Sequence, residues 1–254
     1  TFQTPIMTAA LSHLSHICED AMAEMARGAK AAGAVHWYGM GEDEELERIT
    51  DTGAQTVKII KPHADDAVIF HKLEHAVKHH AFAVGMDIDH CFSSTGSYDV
   101  VLDLPMRAKT MQDMKRYVEA VDVPFIVKGV LSARDAERSI EAGARGILVS
   151  HHHGIMPYSV PPLMVLPEIV KVVDGEVPIF VDCGIESGMD VFKALALGAT
   201  AVCVGRELMT PLKDGHEGVT KRMLEMNGEL MSIMARTGAK SLSEVDPSVL
   251  HFWK

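Results

Sequence analysis

The sequence predicts a single-domain, closed (β/α)8 barrel, and three observations predict it. The chain has 254 residues, the size of one such domain, and its 47% hydrophobic content supplies a sizeable core. Short apolar runs rich in β-branched residues recur, each followed by a helical pattern or a loop leading to one. Eight alternations favour a closed barrel over an open sheet. The strands are expected at Thr4–Ala9, Ala34–Tyr38, Thr56–Ile60, Ala81–Met86, Phe125–Lys128, Gly146–Ser150, Ile179–Val181 and Ala201–Val204. Residues 1–254 are read as one domain.

The helices carry their own start and stop signals. Ser132 is placed to cap the helix that runs to Gly143, with Asp135 in the capping-box position, and Ser187 to Gly198 repeats that design. The acidic run from Glu42 to Glu47 reads as the dipole-matched start of a helix. One connection is long, from His90 to Lys109, and shows no clear periodicity; a loop of that length usually covers a site.

Composition excludes several function classes. A net charge of -11 and no basic cluster argue against a nucleic-acid partner or an anionic membrane. Cys18, Cys91, Cys183 and Cys203 show no CxxC or framework spacing, so a reduced, cytoplasmic protein is expected. No signal peptide or membrane-length apolar run is visible. The chain starts at Thr1 without an initiator Met, consistent with a processed or truncated form. A small-molecule substrate and a homo-oligomeric assembly are expected.

The segment from Val181 to Arg206 reads as a phosphate cradle built from the last two barrel units. Each of its two apolar strands is followed closely by a glycine, which lets backbone N–H groups approach an anion. A phosphate is expected between Gly184 and Gly205-Arg206.

In a barrel of this kind the chemistry comes from the C-terminal ends of strands. Those ends carry Lys58 to Lys61, Asp87 and Asp89, Lys128, Ser150 with His151-His152-His153, Asp182, and Gly205-Arg206. Lys128 follows the apolar run Pro124-Phe-Ile-Val127 and should meet an anion or a polar ring, because a buried unpaired ammonium is expensive. His152 beside Asp87 would be a base with an orienting carboxylate. His71, His75 and His79 share a helix face but read as solvated, and no resident metal is expected. Met156 follows the histidine run, where it could shape a pocket.

Several motifs carry a family resemblance. Val127-Lys128-Gly129-Val130-Leu131, Gly146-Ile-Leu-Val-Ser-His-His-His-Gly154, Asp182-Cys-Gly-Ile185, Ala194-Leu-Ala-Leu-Gly-Ala199 and Val204-Gly-Arg206 resemble the FMN-dependent α-hydroxy acid oxidase and dehydrogenase family. Thr4-Pro-Ile-Met7 and Ala81-Phe-Ala-Val-Gly-Met-Asp87 extend the resemblance over essentially the whole chain. It implies a (β/α)8 barrel with FMN at its mouth, oxidising a 2-hydroxy acid or related hydroxy compound by hydride transfer to flavin N5. By position, His152 would be the catalytic base and Asp87 its partner. Lys128 would stabilise negative charge on the flavin. Lys58 and Ser150 fall at further cofactor positions, and Asp182, Gly184, Gly205 and Arg206 would line the ribityl phosphate.

The chain also departs from the family pattern. Ile155 stands where the family has the arginine that clamps the substrate carboxylate, and an isoleucine makes no bidentate clamp. The family's strand-three Gln and Tyr fall on Lys58 and Ile60, and its strand-four Thr falls on Gly85. Cys183 and Glu186 replace a Gly and an Arg of the phosphate loop. These departures predict an apolar pocket wall that suits an ester, amide or larger apolar group better than a free carboxylate. They also leave a second reading: a non-catalytic or repurposed barrel that keeps the phosphate cradle, or a partner subunit of a complex.

Overall fold

The computed structural model describes residues 2–93, 95–155 and 158–251, so Met156 lies outside the described residues. Eight parallel strands form one sheet: β1 (Ile6–Thr8), β2 (His36–Tyr38), β3 (Thr56–Ile60), β4 (Ala83–Asp87), β7 (Phe125–Val130), β8 (Gly146–Val149), β9 (Ile179–Val181) and β10 (Ala201–Val204). Their spatial order is β1-β10-β9-β8-β7-β4-β3-β2, so chain order is kept around the barrel. The seam between β1 and β2 is drawn together by Thr8, whose N–H donates to Val35 O at 3.2 Å and whose Oγ1 accepts the Trp37 N–H at 3.0 Å. His36 meets that same Oγ1 at 2.9 Å, and full burial pushes its pKa down to about 3, so the seam holds a neutral imidazole.

Side-chain alternation divides the barrel strands between two cores. Met7, Val35, Trp37, Val57, Ile59, Ala83, Ile126, Leu148, Ala201 and Cys203 pack together inside the barrel. The residues between them face outward and pack under the helices, as Ile60, Val84, Val127, Ile147 and Val202 do. Continuing the inward positions in steps of two residues, with Phe180 packed against the same cluster, reaches Lys61, Asp87, Lys128, Ser150, Asp182 and Gly205. The barrel mouth is therefore a polar layer set directly on an apolar plug.

Among the described residues, seven α-helices connect the strands, α1 (Ala21–Ala31), α2 (Asp43–Asp51), α3 (Asp66–Lys78), α4 (Met111–Glu119), α5 (Ala133–Glu141), α6 (Pro162–Val173) and α7 (Gly188–Ala196), and α8 (Gly215–Thr237) follows the last strand. The two serine caps form as the sequence predicts: Ser132 Oγ accepts the Asp135 N–H at 3.1 Å and Ser187 Oγ accepts the Asp190 N–H at 3.3 Å. The acidic run opens α2, with Asp43, Glu44 and Glu45 in its first turn. The long connection is not structureless. It folds an antiparallel hairpin, β5 (Val100–Val101) with β6 (Leu104–Pro105), and bridges back to the barrel through His63 and Met106. No described helix is long and apolar enough to cross a membrane.

Candidate active site

Asp87 stands at the centre of the mouth, at the end of β4. Its Oδ2 accepts from Lys61 Nζ at 2.7 Å, and its Oδ1 lies 2.9 Å from Lys128 Nζ. All three side chains are buried. Burial alone would raise the Asp87 pKa, but the charges of Lys128, Lys61 and His152 overcome it and hold the carboxyl well below the usual range. Burial likewise works against the Lys128 ammonium, and Asp87, Asp182 and Asp89 overcome it, so its pKa is raised. Lys128 stays charged because it has carboxylates within reach, and Lys61 pairs with the other Asp87 oxygen.

His152 lies above this cluster. Its Nδ1 is 3.2 Å from Asp89 Oδ1, 3.7 Å from Asp87 Oδ1 and 3.4 Å from Lys128 Nζ. Its Nε2 is 3.5 Å from Lys61 Nζ, a group that can only donate. Each ring nitrogen has an ammonium nearby, but only Nδ1 also meets carboxylates, and those two acceptors favour the proton on Nδ1 with the Nε2 lone pair towards Lys61. His90, from the long connection, packs against the His152 ring at 4.8 Å. Burial, with the charges of Lys61 and His152, pushes the His90 pKa down to about 4, so that ring is a neutral wall.

The backbone that carries His152 is unusual. His152, His153 and Gly154 have successive φ values of 47°, 59° and 75°, a left-handed run that L side chains rarely adopt. Ser150 Oγ accepts the His152 N–H at 3.0 Å and Cys183 Sγ accepts the His153 N–H at 3.4 Å. Ser150 and Cys183 thus hold the turn that aims the imidazole. Gly129 makes room for Asp89: a Cβ there would fall 2.5 Å from the Asp89 carboxyl carbon.

The phosphate end lies across β9 and β10. Asp182, Cys183, Gly184, Ile185, Gly205 and Arg206 line one pocket with Lys128 and His152. Gly184 has φ 82° and open space where a Cβ would stand. Arg206 is exposed and forms no ion pair among the described residues, so its guanidinium is available to an anion. Glu186, expected to repel a phosphate, is exposed and held by its backbone: its N–H donates to Asp190 Oδ2 at 3.2 Å and its carbonyl accepts from Arg222 at 2.8 Å. Burial and Asp182 push the Cys183 thiol up to about 11, which keeps it neutral beside the cradle.

Two expectations are corrected. Lys58 is not at the mouth: it faces outward from β3, donates to Gly39 O and lies over the Tyr38 ring at 3.7 Å. Ile60 also faces outward, so Ile59 and Lys61 occupy the inward register assigned to Lys58 and Ile60; a shift of one residue exchanges the faces of a strand. Asp87 is not the sole acid beside His152: it lies 3.7 Å from Nδ1 while also joining the two lysines, and Asp89 is nearer at 3.2 Å. Strand alternation was the signal that would have found Lys61. Asp89 was placed with Asp87 at the end of strand four by its position, but its contact with His152 had no local signal because the fold brings the two together. Ile155 is half-buried in the His152 turn. Arg107 cannot replace the missing clamp, being paired with Asp113 at 3.1 Å and Asp66 at 3.3 Å.

This is the layout of a barrel whose mouth sets a glycine-lined pocket with an exposed guanidinium beside an imidazole and a buried ammonium. Residues 1–110 and 94–252 match the family described as FMN-dependent dehydrogenase, and the chain belongs to that family. An L-lactate oxidase of Roseobacter sp. (strain GAI101) is 44% identical over 145 residues, 56% of this chain and 39% of the relative. Glycolate oxidase 3 of Arabidopsis thaliana is 43% identical over 136 residues, 53% of this chain and 37% of the relative. The chain thus spans about two-fifths of the length of these curated relatives. A crystal structure of mandelate oxidase with benzoyl-formic acid superposes with a TM-score of 0.87 at 27% identity, over 96% of this chain and 77% of the other. The family gives FMN as the cofactor. The residues present fit it, with a free guanidinium at the phosphate end and a buried ammonium at the floor of the mouth.

Proposed function

We propose that this barrel oxidises a 2-hydroxy acid at its mouth. Bound FMN supplies the two-electron acceptor. Gly184, Gly205 and Arg206 would hold its phosphate, and the Lys128 ammonium would supply positive charge to stabilise the reduced flavin. His152 Nε2 takes the proton of the substrate hydroxyl, and the Asp89 and Asp87 carboxylates at Nδ1 stabilise the imidazolium that results. Lys61, 3.5 Å from Nε2, is placed to pair with a carboxylate on the neighbouring carbon in place of the family's guanidinium. The two carboxylates that meet His152 at Nδ1, with none at Nε2, carry this reading. A barrel that only binds a phosphate would leave that arrangement unused. Four free thiols support a reducing compartment such as the cytoplasm, and exposed Met189, Leu224 and Met231 on α7 and α8 support a homo-oligomeric contact.

Anaerobic mixing of the FMN-loaded protein with L-lactate, glycolate and mandelate is the test. Bleaching of the flavin absorbance by at least one of them is expected. A flavin that none of these acids reduces would overturn the proposal.

A further inference from the structure

The two histidines at i and i+4 at the C-terminal end of α3, His75 in its last turn and His79 directly after it, are not merely a solvated face. His75 Nε2 and His79 Nε2 both point at one carboxylate oxygen, Glu47 Oε1 on α2, at 3.1 Å and 3.5 Å. Their rings stack with centroids 4.3 Å apart, and the three ligand atoms lie within 4.8 Å of one another. A tetrahedral ion with bonds of about 2.1 Å spaces its donors about 3.4 Å apart, so both histidine-to-carboxylate distances already suit a shared ion. No lysine or arginine pairs with Glu47 among the described residues, although neighbouring Asp43 has Lys72 at 3.6 Å. The carboxylate that needs a cation is therefore the one that two imidazoles face.

We infer that Glu47, His75 and His79 form a binding site for a divalent transition metal of the zinc class, which clips α2 to α3 on the outside of the barrel. Two imidazoles and one carboxylate are borderline ligands that suit such an ion, and Nε2 coordination from i and i+4 positions is a geometry helices supply readily. The fourth position faces solvent, where water completes the set: Glu47 and His79 side chains are 43% and 26% exposed. The ion replaces no existing ion pair with a lysine or arginine at Glu47. Its effect is structural, since it joins the second and third barrel units far along the chain from His152.

Zinc chloride titrated into the FMN-loaded protein against a chromophoric chelator tests this, with circular dichroism to confirm folding. One zinc per chain is expected. Glu47→Gln and His79→Gln, both at partly exposed positions, should each weaken it roughly tenfold or more. His71→Gln and His152→Asn should change it less than twofold. The second control matters because Asp87, Asp89 and His152 also bring their ligand atoms within 4.8 Å. Undiminished affinity in Glu47→Gln and His79→Gln, loss of binding in His152→Asn, or no uptake by the wild-type chain would each overturn the inference.

Discussion

Replacing Lys58 by methionine separates the two placements of this residue, at the flavin or behind the barrel. Its ammonium is buried, meets no carboxylate in an ion pair among the described residues, and burial pushes its pKa from the ordinary 10.5 to about 7. A fall of that size corresponds to about 5 kcal/mol against the charged form. The Tyr38 ring face, 3.7 Å away, returns roughly 2 kcal/mol to it. The hydrogen bond to Gly39 O, which methionine cannot make, is worth about 1 kcal/mol. Lys58→Met should therefore stabilise the protein by about 2 kcal/mol below pH 7. For a chain of this size that raises the melting temperature by about 4–8 °C. The pH dependence has a definite sign. Between about 7 and 10.5 the unfolded chain binds a proton that the folded chain has released, so wild-type stability rises with pH across that window. The variant lacks this penalty, so its advantage is full below pH 7, passes through zero within the window and becomes a deficit towards pH 10.5, where the neutral lysine keeps its hydrogen bond to Gly39 O. Thermal unfolding at pH 6 and pH 10, with the FMN dissociation constant measured beside it, is the assay. A variant that loses FMN without gaining stability at pH 6 would refute the reasoning and return Lys58 to the mouth.

The other expected outcomes concern the site itself. Arg206→Ala should weaken FMN binding about 10- to 150-fold, the equivalent of one charge-assisted contact, as read by flavin fluorescence on titration. His152→Ala should lower turnover roughly 10²–10⁴-fold while FMN affinity stays within a few fold; equal activity would move the role to another group. Lys61→Met should raise KM for a 2-hydroxy acid by about 10- to 150-fold and leave the corresponding 2-hydroxy amide nearly unchanged, which steady-state kinetics on the pair would show. A wild-type preference for the amide would instead favour the apolar wall at Ile155.

The barrel was legible because its signals are local and repeated. Apolar runs of four to six residues, serine caps three residues before an aspartate and glycine stops each act within one unit, and all eight barrel strands fall where those signals place them. Boundaries shifted by a residue or two: β1 is only Ile6–Thr8, and β7 runs on to Val130. The hairpin in the long connection was illegible, since two-residue strands carry no periodicity.

The amino-acid sequence by itself determined the barrel, the glycine turns of the phosphate end, and the presence of Lys128, His152 and Asp87 at strand ends, because these follow from spacing along one segment. Only the tertiary structure decided which charges meet. It turned Lys58 away from the mouth and Lys61 into it, through a side-chain alternation whose phase is set by what the neighbouring strands bury. It also carried Asp89 to His152 past Gly129, and Glu47 to His75 and His79 across two helices. Electrostatic partnership falls off over a few ångströms in space and is indifferent to separation along the chain, so it becomes readable only when the chain is folded.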